Sequence, residues 1–181
     1  MNTDNPRRWA WAMTGSGHFL QETFALLRRL NTLDLFLSRA AVEVLGMYKQ
    51  KVEVADGCRI FHDKTASAVP IGAFYYGGYH TLVVAPATSS AVAKFVYGIS
   101  DDLVTNVFAH AGKTRVPITV FACDTAPELL TMAPKGPVTV YPRPVDLENR
   151  EKLGRFAGVA VVDSTTELAL AILARRAELQ L

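Results

Sequence analysis

A chain of 181 residues, 50% hydrophobic and 20% charged, has the size and composition of one globular domain that builds its core without disulfide staples. A disordered or low-complexity protein is excluded. Its 19 Lys and Arg against 17 Asp and Glu leave a net charge of +2, too small and dispersed to favour a nucleic-acid partner. The longest apolar runs, such as Leu82 to Ala87, are of strand length and fall short of the roughly 18 residues a membrane helix needs. Met1 to Arg8 is polar and lacks the apolar segment of a secretory leader, so a cytoplasmic protein with no membrane partner is expected. Cys58 and Cys123 have no second Cys or His at ligand spacing; both read as free thiols, and no metal site is expected.

In chain order, residues 1–8 are expected to be a flexible N-terminus and residues 9–181 a single domain. The apolar runs are continuous rather than alternating and are separated by stretches of helical spacing, the pattern of a mostly parallel sheet covered on both faces. A doubly wound α/β fold, three-layered and Rossmann-like or flavodoxin-like, is therefore expected. Trp9 to Met13 reads as the first strand, and Phe19, Leu20, Phe24, Leu27 and Leu30 recur at helical spacing after it. Leu33 to Leu37 is a second strand and Ala40 to Met47 a helix. Tyr48 to Tyr79 reads as loop with one short strand at Val52 to Val54, and Leu82 to Ala85 as a third buried strand. Helices at Ser89 to Tyr97 and Asp101 to Ala111 follow, then a strand at Ile118 to Ala122. Thr125 to Pro137 carries Pro127, Pro134 and Pro137 and is expected to be irregular with a short helical piece at most. Val138 to Tyr141 and Val159 to Val162 read as strands. Asp146 to Arg155 reads as a helix, and Thr165 to Leu179 as a terminal amphipathic helix capped by Ser164.

Ligands of open α/β sheets bind beyond the carboxyl ends of the strands, where three polar turns fall. Thr14, Gly15, Ser16, Gly17 and His18 place two glycines and two hydroxyls before a helix, a form suited to a phosphate cradle because glycine lets an anion approach the backbone and its free amides. Packing alone produces such turns too. Ser38, at the next strand end, reads as a phosphate donor or a helix cap. Pro86, Ala87, Thr88, Ser89 and Ser90 follow the most apolar strand; small residues leave room for a flat group and the hydroxyls can bond its polar edge, with helix capping as the plain alternative. In the third turn, Ala122 and Cys123 end a strand and Asp124 can cap, face water or bind a substrate amine. His18, His62, His80 and His110 share no spacing with one another or with a Ser/Asp pair, so neither a catalytic triad nor a metal centre is expected.

The order of these turns resembles the FMN-binding flavoprotein family that includes the cysteine decarboxylases of coenzyme biosynthesis and the flavin prenyltransferases. The most specific stretch runs from Val83 through Pro86-Ala87-Thr88-Ser89-Ser90 to Lys94 and continues as Tyr97-Gly98-Ile99-Ser100-Asp101-Asp102-Leu103-Val104-Thr105-Asn106. Thr14-Gly15-Ser16-Gly17 is similar to the family's FMN-phosphate loop, and Ser38 to its second phosphate contact. Ser90 stands where the decarboxylases carry the Asn that holds the substrate carboxylate, and no His occupies the region of Gly72, where their catalytic His lies. Ala122-Cys123-Asp124-Thr125 replaces their Pro-x-Met-Asn segment. These departures look closer to the redox branch of archaeal-type flavoproteins, in particular the dihydromethanopterin reductase subgroup.

The resemblance implies FMN with its phosphate on Thr14 to His18 and Ser38. The ring would lie against Pro86 to Ser90 and the Ala122–Cys123 strand end. It further implies hydride transfer from reduced FMN to a dihydropterin, dihydromethanopterin becoming tetrahydromethanopterin, with Asp124 contacting the pterin and no protein group acting as catalyst. A homo-oligomer, a trimer or multiple of trimers, is implied as well, with Phe74 to Tyr79 and Val92 to Gly98 suited to its interface. No nicotinamide fingerprint or cluster-binding cysteine set points to the electron donor. Rival readings are an electron-transfer flavoprotein with no small-molecule substrate, a flavin-dependent decarboxylase or prenyltransferase, and an interaction module without cofactor.

Overall fold

A computed structural model describes residues 7–63 and 69–181. Six parallel strands form the central sheet: β1 (Arg8–Met13), β2 (Leu33–Leu37), β3 (Arg59–His62), β4 (Tyr79–Ala87), β5 (Ile118–Ala122) and β8 (Val159–Val162). Their order is β3-β2-β1-β4-β5-β8, so the winding direction reverses between β1 and β4. The helices are α1 (Leu20–Leu27), α2 (Arg39–Met47), α3 (Val69–Tyr75), α4 (Ser89–Tyr97), α5 (Leu103–Lys113), α6 (Pro144–Leu153) and α7 (Thr165–Leu179). A separate antiparallel hairpin joins β6 (Leu129–Ala133) to β7 (Gly136–Val140).

The doubly wound fold thus follows the apolar pattern. Every residue of β2 and of the nine-residue β4 is buried, as continuous Val/Leu/Ala runs require when helices cover both faces. Two cores result. Ala10, Ala12, Leu82, Val84 and Val120 point into one with Val92, Phe95, Val107 and Phe108; Trp9, Trp11, Met13, Leu35 and Val83 point into the other with Phe24, Leu27, Leu45 and Leu168. The alternation along β1 and β4 reflects the twofold side-chain period of a strand.

Four readings of the sequence are corrected. The strand expected at Val52 to Val54 is absent; those valines pack on the core as irregular chain, and the third strand is Arg59–His62 instead. The segment Thr125 to Pro137 contains β6, the whole turn and the first two residues of β7, not a helical piece. Arg8, assigned to a flexible terminus, begins β1 and is held by Asp34 at 2.7 Å; residues 1–6 lie outside the described residues. The aromatic group Phe74 to Tyr79 divides, with Phe74 and Tyr79 in the core and Tyr75 and Tyr76 exposed. Among the described residues no helix is long and apolar enough to cross a membrane, and no group of His, Cys, Asp or Glu could hold a metal.

Candidate functional site

Two cavities open at the carboxyl ends of β1 and β4, at the reversal point where a doubly wound sheet leaves a crevice. They meet at Gly15 and Thr88, which line both. The turn after β1 is fixed from behind. Thr14 donates its hydroxyl to the Pro86 carbonyl at 2.9 Å and accepts from the Thr88 amide at 2.8 Å, so the first and second polar turns are one unit. Pro86 carries no amide hydrogen, and the β4–β5 register breaks between Val84 and Ala87, which lets its carbonyl face Thr14.

The larger cavity, about 390 Å³, is lined by Thr14, Gly15, Ser38, Ala40 and Ser90 together with the charged Arg39, Glu43, Asp63, Lys94 and Asp102. Two helix N-termini face it. Ser38 caps α2 by accepting from the Ala41 amide at 3.0 Å, and Thr88 caps α4 by accepting from the Ala91 amide. The amides of Arg39, Ala40, Ser89 and Ser90 then have no partner within their helices, the ordinary state of a first turn, and together with the helix dipoles they favour an anion. Arg39 makes no ion pair among the described residues, whereas Lys94 is engaged by Asp101 at 2.7 Å and Asp102 at 3.3 Å. Gly15 is required here: a Cβ on it would stand 2.5 Å from the Ala40 Cβ and 3.1 Å from the Ala40 backbone. That closeness brings the glycine turn to the α2 N-terminus.

The smaller cavity, about 270 Å³, is lined by Ser16, Gly17, His18, Tyr48, Cys123, Asp124 and the inner side of the hairpin, including Thr131 and Met132. The five residues of the glycine turn therefore divide between the cavities, with Thr14 in the larger, Gly15 in both, and Ser16, Gly17 and His18 in the smaller. His18 Nδ1 lies 2.6 Å from the Thr131 hydroxyl, and the Tyr48 hydroxyl donates to the Met132 carbonyl at 2.8 Å. These two contacts hold the hairpin over the cavity. Gly17 leaves room for Tyr48, whose hydroxyl would be 2.1 Å from a Cβ there. Cys123 donates its thiol to Ser16 Oγ at 3.1 Å, and burial pushes that thiol up to about 12. Burial also holds the His18 imidazole below its usual 6.5, against the opposing negative charges of Asp124 and Glu22. Ser89 donates to the Asp124 carboxylate.

Of the residues singled out from sequence, Pro86, Ala87 and Ala122 are buried and line neither cavity. Ser89 is turned to Asp124. Tyr48, Thr131 and Met132 had no signal in the sequence, because Tyr48 is remote from Gly17 along the chain and the hairpin's side chains alternate weakly between exposed and half-buried. Arg39 and Ala40, directly after Ser38, could have been found as the first turn of a capped helix.

The Flavoprotein family model matches residues 1–179. An uncharacterised protein of Methanocaldococcus jannaschii is 34% identical over 173 residues, covering 91% of this chain and 93% of its own. Dihydromethanopterin reductase (acceptor) of Methanosarcina mazei is 37% identical over 142 residues, 71% of this chain; the match spans 59% of that protein's length. Burkholderia xenovorans DmrB, solved in complex with FMN and described as a cubic protein cage for redox transfer, superposes with a TM-score of 0.86 at 45% identity, covering 99% of each chain. With its glycine turn, capped strand ends and nearly full-length match in agreement, the chain belongs to the Flavoprotein family.

Proposed function

We propose that the protein is an FMN-dependent oxidoreductase that reduces a dihydropterin, with dihydromethanopterin the leading substrate. One observation carries the reading: an anion-attracting cavity and a second polar cavity adjoin across Gly15 and Thr88, a division suited to a phosphorylated cofactor and a separate acceptor. FMN fits the first, because Gly15 admits no side chain beside Ala40 and the α2 and α4 amides converge with Arg39 on space large enough for a phosphate and its chain. The FMN complex of the 45%-identical DmrB and the reductase names of the archaeal relatives support the same assignment.

The phosphate is held by Ser38, the Arg39 and Ala40 amides, Gly15 and the Arg39 guanidinium. The ring edge is bonded by Thr88 and Ser90, while Pro86, Ala87 and Ala122 support it from beneath. When bound, FMN supplies hydride transfer to an electron-poor acceptor. Asp124, whose second carboxylate oxygen is free of Ser89, accepts from the amino-pyrimidine edge of the pterin, and Tyr48 and Met132 close the far side of the cavity. Exposed Tyr75, Tyr76 and Tyr97 suit subunit contacts in a homo-oligomer, a trimer or multiple of trimers.

The test is anaerobic turnover of flavin-loaded, chemically reduced protein with dihydromethanopterin and, in parallel, dihydrofolate. Stoichiometric loss of the dihydropterin absorbance as flavin absorbance returns is expected. Reoxidation by ferricyanide alone would replace the reductase with an electron carrier, and purified protein that neither contains nor retains flavin would overturn the reading.

A further inference from the structure

Resting on the dihydropterin reading, we propose that His18 is the catalytic proton donor of the reduction, with Thr131 as the positioning residue that fixes its ring. Reduction of a carbon–nitrogen double bond places a hydride on carbon, which a dihydroflavin supplies and is oxidised in supplying. It also places a proton on nitrogen, and that proton needs a source in the acceptor cavity. The neighbours of His18 in that cavity do not provide one. The Cys123 thiol, pushed up to about 12 and committed to Ser16, is too weak an acid near neutrality. Tyr48 gives its proton to the Met132 carbonyl, and Asp124 accepts the Ser89 hydrogen as a carboxylate. The remaining hydroxyls are weaker acids still.

His18 has what the step requires. It is 9% exposed, and its Nδ1 is held by Thr131, so Nδ1–H donating to that hydroxyl leaves Nε2 as the second ring position. Nε2 has no hydrogen-bond partner among the described residues, yet it is not among the buried polar atoms left unpartnered, so it is open to the cavities that His18 lines. On transfer the Nε2–H bond breaks and its electron pair stays on the ring, the substrate nitrogen gains the proton, and neutral His18 is reprotonated from water. The charged or titratable groups around the ring are Asp124 after β5, Glu22 on α1, Tyr48 after α2 and Cys123. The two carboxylates favour the imidazolium and burial opposes it.

Two measurements test this. In flavin-free protein, the His18 imidazole followed by NMR titrates below 6.5, and Asp124→Asn moves it lower still; titration unchanged by D124N would remove the electrostatic half of the argument. In stopped flow, oxidation of reduced, flavin-loaded H18Q by dihydropterin is slowed about 10²–10⁴-fold, while its oxidation by ferricyanide, which takes no proton, matches wild type. The wild-type dihydropterin rate rises as pH falls toward the His18 pKa, and the H18Q rate does not. If H18Q does not hold flavin, Thr131→Val carries the test, since it keeps the imidazole and loses its anchor; the same selective slowing is expected. Equal dihydropterin rates in wild type and both variants would overturn the His18 assignment. Failure of wild type to react with any dihydropterin would instead refute the substrate reading beneath it.

Discussion

The two ends of the central sheet treat polar groups in opposite ways. At the amino ends of the strands, Asp34 is completely buried and accepts from Arg8 at 2.7 Å, from Arg59 at 2.9 Å through Nε, and from the Tyr79 hydroxyl at 2.6 Å. A buried carboxylate is tolerable only when its lone pairs are filled in this way. At the carboxyl ends, the first-turn amides of α2 and α4 face open space, and Arg39 has no carboxylate partner among the described residues. Polar groups that saturate one another hold strands in register. Polar groups left open at a concave strand end are arranged for something that is not part of the chain.

The largest effect is expected where the saturated end is broken. Asp34→Ala leaves the Arg8 Nε and the Tyr79 hydroxyl without their acceptor in a buried place, while the Arg8 guanidinium keeps the Leu33 and Gly57 carbonyls, a change that costs about 3–5 kcal/mol. The lower end of that range applies, because Arg59 is half exposed and can turn to water. Urea unfolding measures it. The same carboxyl gives a pH signature. Burial tends to raise it, but the hydrogen bonds from Arg59, Tyr79 and Arg8 outweigh burial and hold it below its usual 3.8. The folded state therefore favours the ionised form, so this stability is complete above 3.8 and is lost as pH falls through the folded-state value. Asp34→Asn should flatten the acid limb of the stability curve; an unchanged limb would mean that other carboxylates dominate it.

Next comes the open end. Gly15→Val drives side-chain atoms into the Ala40 Cβ and backbone, which cannot swing aside as a flexible side-chain tip could. Overpacking of this kind costs about 1–3 kcal/mol, and it also pushes the glycine turn away from the α2 amides. Purified G15V should carry little or no flavin while remaining folded by circular dichroism. A full flavin complement would remove the turn from the proposed cofactor site.

The contrast also explains which parts could be read from sequence. The bounds of β2, β5 and β8 match their apolar runs, and those of α4 and α7 their caps and spacing, because burial on both faces and free first-turn amides each leave a local mark. Arg59–His62 left none. It is an edge strand whose residues are mostly exposed, and its place depends on the Asp34 ion pairs, which span distant parts of the chain. The hairpin was half legible: Val138 to Tyr141 reads as a strand and overlaps β7, but β6 and the pairing were hidden, because Pro134 and Pro137 read as breakers although they sit at or beside a reversal whose two strands pair only with each other. The glycine turn was visible as a turn. Its division between two cavities was not, since that depends on where Tyr48 and Ala40 arrive in space.

The smallest effect separates the redox assignment from the decarboxylase one at Ser90. This residue is exposed, lines the larger cavity and follows the α4 cap, so its hydroxyl is available to the cofactor edge without being needed by the fold. The resemblance to the cysteine decarboxylases implies that decarboxylation would use an Asn at this position to hold a carboxylate, together with a His in the region of Gly72. Gly72 supplies no such group, and Ser90 supplies one neutral hydrogen bond of roughly 0.5–1.5 kcal/mol. Ser90→Ala should therefore lower dihydropterin turnover at most about tenfold, leave the unfolding midpoint in place and weaken flavin retention only slightly. Wild-type protein given a peptidyl-cysteine substrate should release no carbon dioxide. Robust release there, abolished by Ser90→Ala and unaccompanied by dihydropterin reduction, would make Ser90 a carboxylate-holding group and return the chain to the decarboxylase branch.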